Sequence, residues 1–252
     1  MTAKHAYTNA MKYGAIANRA RNKISKLKNV SKKERVLILG SGPSLNDIDL
    51  ENVEVDAVIY LNNAISLKGK IKNVKEYVVI TDFLRMIELR PKLVSDKSLT
   101  VFCSSDKIFN PNIDSQIFEE PFLFIFPRID YQTTSKSLNM SVSSSKLLTV
   151  NFEDGIYLGK SVVFPAIQIA AFLGFDSIFL GGVDMNPNEK VYFDKNVKGN
   201  WSGFNYETDG KEHMRNSASF LMQMKKRIYT LGNKGVNHEL PRLPMSTIYG
   251  KS

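Results

Sequence analysis

The chain has 252 residues, 43% of them hydrophobic, which is enough to bury a full core in one domain near the upper end of ordinary domain size. No apolar run reaches the roughly 20 residues that cross a bilayer. The first residues lack the compact apolar stretch of a secretory leader, and the lone cysteine, Cys103, has no internal partner for a disulfide, so a cytoplasmic protein is expected. The net charge of +9 invites a nucleic-acid reading, but ten of the 34 basic residues and only one of the 25 acids fall at or before Arg35, leaving 24 of each sign in the rest. The excess belongs to a leading segment and not to a groove in the body, so no nucleic-acid partner is expected.

In that segment, residues 1–34, Tyr13, Ile16, Ala20, Ile24 and Leu27 recur at spacings of three and four, placing them on one face of a basic helical arm. Such a helix can lie on an anionic membrane, which would make the protein peripheral on the inner face of the cytoplasmic membrane, or pack against the body. From Arg35 the pattern changes to short β-rich runs: Val36 to Leu39, Ala57 to Leu61, Tyr77 to Ile80, Leu99 to Cys103 and Ser177 to Leu180. Cys103 ends one of these runs and reads as core. A helix starts near Ser161, read as its N-cap, carries Val162, Ala166, Ile169, Ala170 and Leu173, and stops at Gly174. A second, Glu212 to Lys226, leads into a last strand, Arg227 to Leu231. Serine-rich 135–145 and the Asn-, Gly- and aromatic-rich stretch at about 185–210 read as long loops, the latter an inserted lid. The expected fold of residues 35–252 is α/β: a Rossmann-like, mostly parallel sheet with helices on both faces.

After the first strand comes Gly40-Ser41-Gly42-Pro43-Ser44-Leu45. Two glycines allow a tight turn and close approach of backbone to a phosphate, and a helix starting near Pro43 or Ser44 would aim its positive end at that anion; the same turn also occurs without any ligand. The dinucleotide fingerprint fails, because Leu45 replaces its third glycine and strand two ends in Asn62-Asn63 instead of an acid. Gly159-Lys160-Ser161 resembles the end of a P-loop, but Asp154 stands where that motif requires glycine. Asp184-Met185-Asn186-Pro187-Asn188 has the alternating oxygens of a calcium loop or of a metal-binding sugar-nucleotide site, yet Glu189 and Lys195 occupy slots that a calcium loop reserves for glycine and glutamate; a structural role for Asp184 at a strand end stands beside these. His5, His213 and His238 lack zinc spacing, and no metal ligands are assigned. His213 follows the lid aromatics Trp201, Phe204 and Tyr206 and opens a helix, so it is either a general base or a surface or capping histidine.

Three blocks taken together, Val36-Leu37-Ile38-Leu39-Gly40-Ser41-Gly42-Pro43-Ser44-Leu45, Tyr60-Leu61-Asn62-Asn63 and Leu173-Gly174-Phe175-Asp176-Ser177-Ile178-Phe179-Leu180-Gly181-Gly182-Val183-Asp184, resemble the bacterial sialyltransferases of glycosyltransferase family 42. They also resemble a wider group that includes pterin diphosphokinases and flagellin-modifying proteins. The resemblance spans about residues 35 to 245. It implies an inverting, metal-independent, GT-A-type glycosyltransferase moving an acidic sugar, sialic acid or Kdo-like, from a CMP-activated donor substrate. The acceptor would be a glycan or glycolipid of bacterial surface polysaccharide or lipooligosaccharide. No further cofactor is implied, and a homo-oligomer is compatible with it. Carried over by position, His213 becomes the base and Tyr192 a phosphate donor. Gly40, Ser41, Gly42, Pro43 and Ser44 shape the phosphate turn, Asn62 faces the nucleotide, and Asn63, Asp82, Ser161, Gly182 and Asp184 complete that side. Departures include Ser41 in place of asparagine, Gly159-Lys160-Ser161-Val162-Val163 in place of Arg-x-Thr-Ser-Gly, and Asn186 at one lid tyrosine. Asp82 is closer to the wider group, which keeps open an ATP- and magnesium-dependent pterin diphosphokinase. A non-catalytic nucleotide- or glycan-binding module is the third alternative.

Overall fold

A computed structural model of the chain describes residues 18, 21–104, 122–125, 148–152, 155–185, 205–232, 235 and 238–250. Eight strands lie in one sheet: β1 (Arg35–Leu39), β2 (Ala57–Leu61), β3 (Lys75–Ile80), β4 (Thr100–Ser104), β5 (Leu123–Ile125), β6 (Ser177–Gly181), β7 (Arg227–Leu231) and β8 (Arg242–Leu243). Their order is β5-β4-β3-β2-β1-β6-β7-β8, with every neighbouring pair parallel. The six runs read from sequence become β1 to β4, β6 and β7 with ends shifted by at most two residues. The strands β5 and β8, of three and two residues, are too short to carry a pattern.

The chain steps outward from β1 to β5 on one side, then returns to β6 on the other side of β1 and steps out again to β8. The switch point therefore lies between β1 and β6, and in open parallel sheets the crevice at the carboxyl ends beside such a point is where ligands bind. Both faces are covered, which explains why the strands are apolar runs and not alternating ones. Val36, Ile38, Ile59, Val79 and Ile178 face one core layer, while Leu37, Leu39, Val58, Tyr60, Val78 and Phe179 face the other. Cys103 is buried in the second layer.

Helix α1 (Phe83–Ser95) covers the second layer with Met86 and Leu93. Helices α2 (Val163–Leu173) and α3 (Lys211–Gln223) cover the first. All 11 residues of α2 are buried, so it is apolar all round apart from Gln168. Ser161 is not its N-cap: the capping position is Val162, in helical conformation with no side-chain bond, and Ser161 instead gives its carbonyl to Phe164 N at 3.2 Å. Gly174 ends α2 in the left-handed region, φ 106°, as read from sequence.

The basic segment is packed where it is described. Residues 21–25 are helical, and Ile24, 3% exposed, belongs to the first core layer with Leu27 against it. Further on, Asn29 N and Ser31 N donate to the carbonyls of Phe172 (2.9 Å) and Leu173 (2.8 Å), and Lys226 Nζ donates to those of Gly174 (2.9 Å) and Phe175 (2.8 Å). These carbonyls lie at the end of α2, where no intrahelical partner exists. Arg21, Lys23, Lys26, Lys28, Lys32 and Lys33 all remain exposed. Tyr13, Ile16 and Ala20 lie outside the described residues. Ile24→Ala should lower unfolding free energy by about 2–4 kcal/mol in urea titrations, the usual cost of a truncated core aliphatic; native-like stability would show that the segment is not part of the core.

Candidate active site

At the carboxyl edge of β1 the chain runs against the end of β6. Gly40 N donates to Gly181 O and Gly42 N to Gly182 O, both at 2.8 Å. A Cβ on Gly40 would overlap the Gly182 carbonyl, and one on Gly42 would overlap the Asp184 carboxylate and stand 2.8 Å from Gly182 O. Gly182 itself has φ 67°, a conformation that glycine adopts without steric penalty. These glycines are required by the meeting of two backbones before any ligand is considered. Behind them, the helix expected to start near Pro43 or Ser44 is a 3-10 segment, Pro43–Asp47. Its Ser44 N is bound at 2.8 Å by Oδ2 of buried Asp184. The two amides that would cradle a phosphate, those of Gly42 and Ser44, are thus already engaged by Gly182 and Asp184. Ser41 and Pro43 are half-buried beside them.

One strand over, Asn62 leaves β2 with φ 50° and opens a 3-10 segment, Asn62–Leu67, in which Asn63 follows half-buried. Its side-chain Oδ1 is buried and has no hydrogen-bond partner. Strained backbone and an orphaned buried acceptor are each costly, and both concentrate where a protein meets a ligand. After β3, exposed Asp82 spends Oδ1 on the amides of Leu84 (2.9 Å) and Arg85 (3.3 Å), capping α1. Asp82, Asn62, the Gly40–Ser44 turn and Gly182–Asp184 therefore form a row along one edge of the sheet.

The same edge carries His213, because α3 leads into the amino end of β7 and so begins at the opposite, carboxyl end. A π-helical turn, Tyr206–Gly210, delivers the chain into α3. Such turns recur at functional sites. His213 stands in the first turn of α3 with Nε2 2.7 Å from the Tyr157 hydroxyl and Nδ1 3.3 Å from it. The Phe164 ring packs T-shaped against the imidazole, with ring centroids 5.4 Å apart. Burial pushes the imidazole pKa below its ordinary 6.5; Glu212 and Asp209 oppose this and Lys160 reinforces it. His213 is accordingly neutral at neutral pH, the form a general base needs. Asp209 is drawn down by its bond to Lys160, 2.7 Å away, and so is a poor base. Tyr206 is pushed up to about 12, by burial first and then by Glu239 and Glu207, so it stays protonated.

The half-buried Ser161 lies in the loop that carries Tyr157 and Lys160. His238 is exposed. Tyr192, Trp201, Phe204, Asn186, Glu189, Lys195, Asp154 and the serine-rich 135–145 stretch all lie outside the described residues. Among the described residues no group of three or more His, Cys, Asp or Glu is arranged to hold a metal, and no helix is long and apolar enough to cross a membrane. Sequence reasoning missed Tyr157, Gln168 and the π-turn. None has a local signature, since each is defined by contacts with distant segments.

The chain resembles bacterial sialyltransferases of known structure. One is the monofunctional α-2,3-sialyltransferase Cst-I from Campylobacter jejuni, at 17% identity and TM-score 0.49, covering 86% of this chain and 79% of that one. A second is the C. jejuni sialyltransferase CstII with cytidine-5'-monophosphate, at 19% identity and TM-score 0.46, covering 87% and 85%. A third is CstII with trisaccharide acceptor and CMP, at 20% identity and TM-score 0.46, covering 86% and 85%. No protein-family model matches the chain, and no curated protein matches it by sequence.

Removing the Asp184 carboxylate would leave Ser44 N buried without an acceptor. Asp184→Ala is expected to lose about 1–3 kcal/mol of stability in urea unfolding; no loss would mean that the cap is dispensable.

Proposed function

We propose that this protein is an inverting glycosyltransferase that moves an acidic sugar from a CMP-activated donor to a glycan acceptor of a bacterial surface polysaccharide or lipooligosaccharide. The observation that carries the reading is His213, held neutral by burial at the carboxyl edge of a parallel sheet, on the same edge as the orphaned Oδ1 of Asn62. The sequence blocks around Gly40, Asn62 and Gly182–Asp184, which resemble the sialyltransferases, support it.

In the reaction, neutral His213 accepts the proton of the acceptor hydroxyl as that oxygen attacks the anomeric carbon. The bond from the anomeric carbon to the phosphate oxygen of CMP breaks on the opposite face, so a single displacement inverts the centre. Asn62 Oδ1 accepts a hydrogen bond from the nucleotide and thereby gains the partner it lacks. Ser41 lies in the turn that faces the leaving phosphate, and the role carried over by the sialyltransferase resemblance gives Tyr192 as the donor to that phosphate as negative charge develops. Asn63, Asp82 and Ser161 border the donor, while Gly182 and Asp184 act by fixing the shape of the turn. The scheme calls for no divalent cation. Exposed Arg21 and the exposed lysines of residues 23–33 give the enzyme a face for anionic membrane, each contributing about 1 kcal/mol near such a surface.

His213→Ala should lower turnover by about 10² to 10⁴ while nucleotide binding persists, and His238→Ala should change little. Because burial holds the His213 pKa below 6.5 in the folded protein, the base is lost only as pH falls through that lowered value. The acid limb of the native rate profile should therefore have its midpoint below the ordinary imidazole value. Near-native turnover of His213→Ala would sink the mechanism. A nucleotide panel by thermal shift tests the donor: CMP should stabilise the protein, whereas stabilisation by ATP with magnesium alone would point to a diphosphokinase. Asn62→Gly relieves both the positive φ and the orphaned oxygen, so it should keep or raise stability while weakening CMP binding; unchanged CMP affinity would remove Asn62 from the site.

A further inference from the structure

Gln168 is the one polar residue on α2 and has no exposed surface. An amide at that depth is tolerated only with its donors and acceptor matched. Its Nε2 donates to the carbonyls of Tyr157 (2.7 Å) and Phe164 (3.0 Å), and its Oε1 accepts from the amides of Tyr157 (3.3 Å) and Thr149 (3.2 Å). The bond to Phe164 is local to the helix. The other three reach the segment outside it, and two of them take both backbone groups of Tyr157, as a neighbouring strand would. An apolar side chain would fill the same volume but leave those backbone groups unmatched.

From this fixed backbone, Tyr157 extends its hydroxyl to 2.7 Å from His213 Nε2 with ring centroids 5.1 Å apart. The Phe164 ring lies T-shaped to the same imidazole; the Gln168 bond to its carbonyl is the local helical one and does not act on that ring. We propose that Gln168 is a positioning residue for His213, acting through Tyr157: the amide fixes where the phenol stands, and the phenol fixes the orientation and tautomer of the imidazole. A base works only when the correct ring nitrogen is presented within hydrogen-bonding reach of the proton it takes, and the partner of the other nitrogen sets which one that is. The inference rests on the reading of His213 as the base.

The charged groups facing His213 are Glu212 from α3, Asp209 from the π-turn and Lys160 from the loop after Tyr157, whereas α2 presents only neutral side chains. Tyr157→Phe and Gln168→Leu change none of these charges. Any change in the titration of the imidazole in those variants therefore reports hydrogen bonding and orientation.

The test is nitrogen NMR on histidine-labelled full-length protein, following the midpoint and tautomer ratio of His213 with His238 as internal reference. Tyr157→Phe and Gln168→Leu should each displace the His213 midpoint by about half a unit or more and alter its tautomer ratio, with His238 unmoved. The double variant should match Tyr157→Phe, because Gln168 acts only through the phenol. In donor turnover kcat should fall by about 10- to 100-fold with the donor KM little changed. If Gln168→Leu does not fold, Gln168→Glu replaces it; a buried carboxylic acid held protonated keeps an acceptor and one donor, and should give a smaller displacement in the same sense. An unmoved midpoint and tautomer in Tyr157→Phe, or additive effects in the double variant, would overturn the proposal. Coupling present while His213→Ala turns over normally would fail the base reading alone. Coupling absent while His213→Ala is inactive would fail the positioning alone.

Discussion

Where β1 and β6 leave the sheet side by side, two chain segments must turn in the space of one. Gly40 and Gly42 on one side and Gly182 on the other solve this by having no Cβ, so that amides of the first turn reach carbonyls of the second at 2.8 Å. Asp184 then reaches back to cap Pro43–Asp47. The shortness of that 3-10 segment and the burial of Ser44 go with this contact. A glycine pair after a strand is usually read as a cradle for phosphate, but here the protein supplies its own acceptors for the amides concerned. What the edge leaves unmatched is the neighbouring Asn62.

Much of the architecture is legible along the chain because parallel strands buried on both faces are contiguous apolar runs. Ala57 to Leu61 could be bounded to the residue for that reason, and the stop at Gly174 because glycine commonly ends a helix. The start of α2 differs from the sequence expectation: Ser161 has the chemistry of a cap, but it is the Ser161 carbonyl that Phe164 N meets, and Val162 holds the capping position without a side-chain bond. His213 was visible as a histidine opening a helix after a loop. Its partner Tyr157 was not, because it lies 56 residues away and is brought there by an amide on a third element. Asn62 shows the same limit, since a residue type can suggest a ligand while only the fold reveals an acceptor left without a donor.

Helix α2 joins two parts of the molecule that the charge pattern treats as separate. Its first turn offers Phe164 to His213, and its last carbonyls are closed by Asn29 and Ser31 of the basic segment. Eleven helical residues span about 16 Å, and with every side chain of α2 buried the helix has little room to adjust at one end alone. The described part of the basic segment, from Ile24 to Ser31, is therefore tied to the helix whose other end meets the imidazole.

The bond between Ser44 and Asp184 closes a loop of 140 residues. During synthesis at about 5–20 residues per second, β1 would emerge roughly 7–28 s before the residue that caps its turn. Through that interval the edge of β1 destined for β6 has no partner, and it consists of Val36, Leu37, Ile38 and Leu39, the kind of unpaired apolar strand that recruits other chains. This edge can be completed only after residue 184 has left the ribosome, so the order of synthesis exposes the strand to misassembly at the place where β1 and β6 later meet backbone to backbone.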